Sequence, residues 1–240
     1  MRTFRSLFIA VIFVLATTSM ALADNCVLAS GAGYKKMVNA LNSAYQAKTG
    51  YSIDLLFGNM ARVTTLAKQS GKVDIVLGDN IFLKKADLLF TKKQPLGQGK
   101  LVLAFAKGSQ FTSLADLDKA KRIALPDTNK AIYGKAARQF LQSRQLLPDI
   151  KHRLVEVSTV PQVFSYLATN EVDMGFINLT HALNVAHRLG GYVLVDECCY
   201  SPIIILAALL EESPHAEQAI AFLHFLKTAE AQAIMRDNGL

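Results

Sequence analysis

Short apolar runs alternate with stretches of helical periodicity along most of the chain. Val27 to Ala29 reads as a short buried strand. A helix follows with Tyr34, Met37, Val38, Leu41, Ala44 and Tyr45 on one face, and Gly50 stops it. Ile53 to Phe57 is a second strand, Gly58-Asn59 opens a helix reaching about Gln69, and Val73 to Leu77 is a third strand. Leu101 to Ala106 is another strand, ended by Lys107-Gly108.

The pattern then restarts. Ser113 caps a short helix, Arg122 to Leu125 is a strand, and a helix from about Ala131 to Leu147 is stopped by Pro148. Leu154 to Val157 is a strand, Ser158-Thr159 with Pro161 begins a helix, and Met174 to Asn178 is a strand. Thr180 to Leu189 is helical and Tyr192 to Val195 extended. Ile203 to Leu210 is a buried strand, and closing helices run from Pro214 to Arg236.

Strands and helices in this alternation imply right-handed βαβ units, mostly parallel sheets and an α/β fold. Two such units are expected, with no flexible linker between them. The boundaries fall inside strands, so the chain leaves one lobe and later returns to it. The expected division is residues 24–105 and 203–240 in one lobe and 109–197 in the other, joined by two crossing strands.

The first residues are a separate matter. Arg2 and Arg5 precede an apolar run from Leu7 to Ala16, and Ala21-Leu22-Ala23 places small residues where a signal peptidase reads. This is the pattern of a secretory signal over residues 1–23, cleaved after Ala23. A spanning helix needs roughly 20 apolar residues, and this stretch turns polar at Thr17-Thr18-Ser19. Asn25 stands before Cys26 where a lipoprotein would carry a small residue, so soluble export is expected.

Losing Arg2 and Arg5 takes the formal charge of the 240-residue chain from +7 to +5. The remaining basic residues are scattered, with no block of like charge and no interleaved aromatics, which argues against nucleic acid. The three cysteines have no C-x₂-C spacing. Export makes a disulfide conceivable, either Cys26 with Cys198 or Cys199, or a strained bridge between those two neighbours.

Catalytic motifs are missing. No Gly-x-Ser-x-Gly elbow, P-loop or His-Glu-x-x-His is present, and His152, His181, His187, His215 and His224 are dispersed. Asp79, Asp127, Lys130 and Lys135 are the only obvious acid–base candidates, and all four read more simply as caps and surface charges. What recurs is a strand ending in a polar or glycine-containing turn that opens a helix. Gly31-Ala32-Gly33, Gly58-Asn59-Met60, Ala131 to Gly134, Ser158-Thr159-Val160 and Asn178-Leu179-Thr180 are such places. Each helix start offers unpaired N–H groups and the positive end of a dipole, and several converging on one cleft would make an anion site.

In order and spacing, several segments resemble a known family. They are Tyr45 to Gly50, Phe57-Gly58-Asn59, Val73 to Asp79, Gly99 to Leu103, Ser113 to Leu117, Ala131 to Ala137, Asn170 to Phe176, Ala219 to Leu226 and Ala229 to Ile234. Together the chain resembles the periplasmic molybdate-binding proteins of ABC importers, type II solute-binding proteins. The resemblance implies a bilobal fold, a tetrahedral oxyanion such as molybdate or tungstate held between lobes, and an ABC permease as partner. It also implies a monomer, no cofactor, no cation ligands and no catalysis.

Family members hold the anion with backbone N–H groups and hydroxyls, and the resemblance places that site at Gly31, Ala32, Gly33, Asn59, Tyr133, Val160 and Asn178. The usual Ser of the first loop is Gly33 here, the Ser-rich second loop is Asn59-Met60-Ala61, and the usual Tyr after the last strand of the second lobe is Asn178. Tyr133-Gly134 matches a subfamily that uses a Tyr hydroxyl in the fourth loop, and Val160 matches a backbone donor. Sulfate or phosphate as ligand, and an exported enzyme on the same fold, stay open as alternatives.

Overall fold

The computed structural model describes residues 25–240, and the signal segment expected over residues 1–23 lies outside the described residues. The chain forms β1 (Val27–Gly31), α1 (Lys35–Thr49), β2 (Asp54–Gly58), α2 (Met60–Ser70), β3 (Ile75–Asp79), α3 (Asn80–Lys85) and β4 (Phe90–Gly99). It continues with β5 (Leu101–Phe105), β6 (Ile123–Pro126), α4 (Ile132–Ser143), α5 (Leu147–Ile150), β7 (Leu154–Val157) and α6 (Val160–Ala168). Then come β8 (Met174–Asn178), α7 (Leu179–Val185), β9 (Gly191–Leu194), β10 (Ile203–Leu210), α8 (Ala216–Phe225) and α9 (Ala229–Asp237).

Two five-stranded sheets result, ordered β2-β1-β3-β10-β4 and β7-β6-β8-β5-β9. In the first, β1 runs parallel to β2 and β3, and β10 antiparallel to β3 and β4. In the second, β6 runs parallel to β7 and β8, and β5 antiparallel to β8 and β9. The reversed strand of each sheet is the one by which the chain arrives from the other sheet. The fold is therefore bilobal α/β, with the chain crossing between β4 and β5 and again between β9 and β10.

The local causes are visible in the sequence. Met37, Val38, Leu41 and Tyr45 bury one stripe of α1. Gly50 ends that helix at φ 79°, donating its N–H to the Gln46 carbonyl. Strands β3, β5 and β8 are buried at every position, as strands covered on both faces must be.

Three expectations need correction, and one strand was not expected. Leu101–Phe105 pairs with β8 and β9, so it belongs to the second sheet, and the crossing falls at Gly99-Lys100 instead of near residue 106. The polar stretch that leads into this crossing, Phe90–Gly99, is itself an edge strand of the first sheet. Pro148 does not stop a helix; α4 ends at Ser143, and Pro148 lies in the first turn of the short α5, where a missing N–H costs nothing. All three cysteines are free thiols. Because β10 is antiparallel, its Leu209 end, opposite Ile75, is the one near Cys26. Cys198 and Cys199 precede its other end, about 20 Å away at the rise of an extended strand.

At the Cys26 edge, Asp74 ties the ends of the first lobe together. Its fully buried carboxylate accepts from the Val27 N–H (2.7 Å), the Ser213 hydroxyl (2.6 Å) and the His215 N–H (2.9 Å). Burial alone would raise its pKa, but the hydrogen bonds from Ser213, Val27 and His215 outweigh burial and hold it below the usual carboxylate range.

Candidate functional site

A cleft of about 310 Å³, its open mouth included, lies between the two sheets' helix starts. One wall is Gly31 to Tyr34 and Gly58-Asn59-Met60; the other is Ala131-Ile132-Tyr133 and Thr159-Val160. Gly31, Ala32, Gly33, Asn59, Tyr133 and Val160 are thus brought together. Asn178 is not on the wall: it is fully buried behind Gly33, whose carbonyl accepts from its Nδ2 at 3.2 Å.

Each wall ends in helix starts. The N–H groups of Met60, of Ile132 and Tyr133, and of Val160 stand in first turns and meet no acceptor among the described residues. Neighbouring first-turn donors are occupied. Asn59 Oδ1 accepts from the Arg62 N–H at 2.9 Å, the Lys130 carbonyl from the Ala61 N–H at 3.2 Å, and Thr159 from the Gln162 N–H. Met60, Ile132, Tyr133 and Val160, whose donors are left over, all line the cleft. No charged side chain lines the cleft, so its positive potential comes from backbone dipoles.

Several bonds cross from lobe to lobe. Asn59 Nδ2 donates to Ser158 Oγ at 3.1 Å, the Ala61–Lys130 backbone bond spans the walls, and Asn178 reaches Gly33. The Tyr34 and Tyr133 hydroxyls are hydrogen-bonded to each other. One proton serves that pair, which leaves the second hydroxyl proton for another acceptor. Burial, and after it the neighbouring phenol and the Asp79 carboxylate, pushes the Tyr34 pKa well up, and burial does the same for Tyr133. Both stay neutral donors.

Three of the four acid–base candidates, Asp79, Asp127 and Lys130, have partners of their own. Asp79 Oδ1 caps α3 through the N–H groups of Ile81 and Phe82 (3.0 and 3.2 Å), and burial raises its pKa despite these bonds and the nearby Lys135. Asp127 accepts from the Asn129 and Lys130 N–H groups at 2.9 Å and pairs with the Lys130 ammonium at 3.4 Å. Tyr34, Gly58, Met60, Ala131, Ile132 and Thr159 complete the lining, and all but Tyr34 stand in the helix-opening turns that the sequence singled out. Tyr34 reads as part of the apolar face of α1, and nothing in the pattern reveals that its hydroxyl meets Tyr133.

The sequence pattern of the bacterial extracellular solute-binding proteins matches residues 26–240. The chain belongs to that family. Among relatives of this solute-binding chain, the molybdate-binding protein of Rhodobacter capsulatus is 24% identical over 99% of this chain and 96% of its own length. The periplasmic molybdate-binding protein of Azotobacter vinelandii shares the fold at a TM-score of 0.82 and 22% identity, over 90% of this chain and 98% of its own. The aconitate isomerase of a Pseudomonas species is 23% identical over 89% of this chain and 86% of its length.

Proposed function

We propose that this protein captures a tetrahedral oxyanion, molybdate first and tungstate with it, between its lobes and delivers it to the permease of an ABC importer. The observation that carries the reading is the convergence of unpaired helix starts from both lobes on a cleft without a charged side chain. A dianion held by neutral, preorganised donors is bound firmly and still released. Each charge-assisted hydrogen bond contributes roughly 1.5–3 kcal/mol. Five to seven such bonds, less closure and association costs, suffice for about 8–12 kcal/mol, the micromolar to nanomolar range. Gly31, Ala32, Gly33, Asn59, Tyr133 and Val160 hold the anion in this reading, and Asn178 positions Gly33.

The same reading places the protein in the periplasm as a monomer, exported by a signal segment cleaved after Ala23. Phosphate is disfavoured because it carries a proton near neutral pH and calls for an acceptor carboxylate, while neither Asp79 nor Asp127 lines the cleft. The aconitate isomerase among the relatives favours one rival, an enzyme acting on a tricarboxylate. That rival needs a general base in the cleft, and none of the lining side chains supplies one.

Calorimetric titration with molybdate, tungstate, sulfate, phosphate and aconitate separates these. Molybdate and tungstate are expected to bind at micromolar concentration or tighter, with sulfate weaker because of its smaller radius. Failure of every oxyanion to bind below about millimolar overturns the reading, and turnover of aconitate establishes the rival.

A further inference from the structure

We propose that Cys198, Cys199 and Asp196 form a binding site for one thiophilic divalent cation of the Zn²⁺ class, separate from the anion cleft. The three residues lie in the segment that carries the chain from β9 back to β10, and one ligand atom from each falls within 4.8 Å of the others. The two Sγ atoms stand 3.6 Å apart. A cation with metal–sulfur bonds of about 2.3 Å spans that gap at an S–metal–S angle near 100°, close to tetrahedral. A disulfide would instead have to draw the same atoms to about 2.05 Å within a strained ring of adjacent residues.

The surroundings are arranged for a cation. Ser143 and Arg144, the last residue of α4 and its cap, stand beside the Cys199 thiol. The C-terminal end of that helix carries the negative pole of its dipole. Arg144 also pairs with Asp196 Oδ2 at 3.2 Å, and Asp196 Oδ1 accepts from the Cys198 N–H at 3.1 Å, so the carboxylate is oriented before any ion arrives. Two thiolates and one carboxylate against one guanidinium leave a formal charge of −2, which a divalent cation neutralises. Cys198 and Asp196 are exposed while Cys199 is buried, which provides an entry path and a protected side. Two thiolates select soft cations over Mg²⁺ or Ca²⁺, and water completes the coordination.

The test is a titration of the full chain, reduced and kept under inert gas, with Cd²⁺ as spectroscopic probe and Zn²⁺ as competitor. One equivalent of Cd²⁺ should raise thiolate-to-metal absorption in the ultraviolet, and Zn²⁺ should displace it while Mg²⁺ should not. Cys198→Ser and Cys199→Ser should each weaken binding by about a hundredfold or more, and Asp196→Asn by about tenfold. Cys26→Ser should leave it unchanged. Because a serine variant can misfold, protection of the wild-type thiols from maleimide by Zn²⁺ is read in parallel: two should be shielded. An absorption band that survives in the doubly substituted chain, or no band and no protection in the wild type, overturns the site. Oxyanion affinity does not enter any of these readouts, so the outcome is independent of the function proposed above.

Discussion

The hydroxyl of Tyr34, carried by the first lobe, is bonded to that of Tyr133 in the second, and both lie where a β-carbon on Gly99 would stand. The pair therefore forms only when the lobes have closed over the first crossing, and glycine at 99 is what leaves room for it. One hydroxyl proton of the pair is left over, and the anion proposed above would take it. Tyr133→Phe is expected to lower molybdate affinity by about 1–3 kcal/mol without loss of fold, read by calorimetry and by an unchanged circular dichroism spectrum. Tyr34→Phe should cost a similar amount, and the double variant less than the sum, because each single change already breaks the pair.

Asn59→Asp should be worse than either. The side chain caps α2 and reaches Ser158 across the cleft. Aspartate would keep the cap but lose the donor and place a negative charge beside a dianion. Oxyanion binding should fall by more than about tenfold at low salt and recover partly as salt screens the repulsion. Binding equal to the wild type would remove Asn59 from the site.

Gly33→Ser, which would add a hydroxyl at the first helix start of the cleft, is expected to weaken binding. A β-carbon at Gly33 would sit 2.6 Å from Asn178 Oδ1, an atom that is itself buried without a partner. The serine therefore meets the amide before it meets the ligand. Combining it with Asn178→Ala should recover most of the loss, a coupling a double-mutant cycle measures directly.

Acid should destabilise the fold through His181. Burial pushes its pKa down to about 4, and the ring packs edge-on against Phe164. The unfolded chain takes up this proton near pH 6.5 and the folded one only near 4. Stability is thus fully present above about pH 6.5 and falls as pH drops through that window, by about 3 kcal/mol in all. His181→Gln should flatten that part of the profile in denaturant titrations at stepped pH. An unchanged slope would show that His181 protonates in the folded state.

The α/β alternation, the two units and most of the cleft were legible because each rests on local chemistry: apolar runs, glycine stops and polar turns that open helices. What was not legible depends on strand pairing. Phe90–Gly99 carries Lys92, Lys93 and Pro95, as an exposed edge strand can, and so shows none of the apolar alternation that marks half-buried strands. Leu101–Phe105 looks like any buried strand, and only its partners assign it to the second lobe. The cysteine expectation erred in the same way, since strand direction decides which end of β10 lies near Cys26. Asn178 was placed at the cleft by resemblance, but its amide turns to the Gly33 carbonyl, a choice that a buried amide's need for partners makes and a linear pattern cannot display.

A cleft walled by backbone amides and phenols whose pKa values burial raises has no group that titrates near neutral pH and no formal charge to screen. The grip on a permanent dianion should then stay nearly constant from mildly acidic to mildly alkaline medium, and across wide changes of ionic strength. The scattered lysines of a surface that is net positive act on a different quantity: they draw anions in from a distance, and salt weakens that attraction first. Brine should slow the arrival of the ligand far more than it hastens its departure.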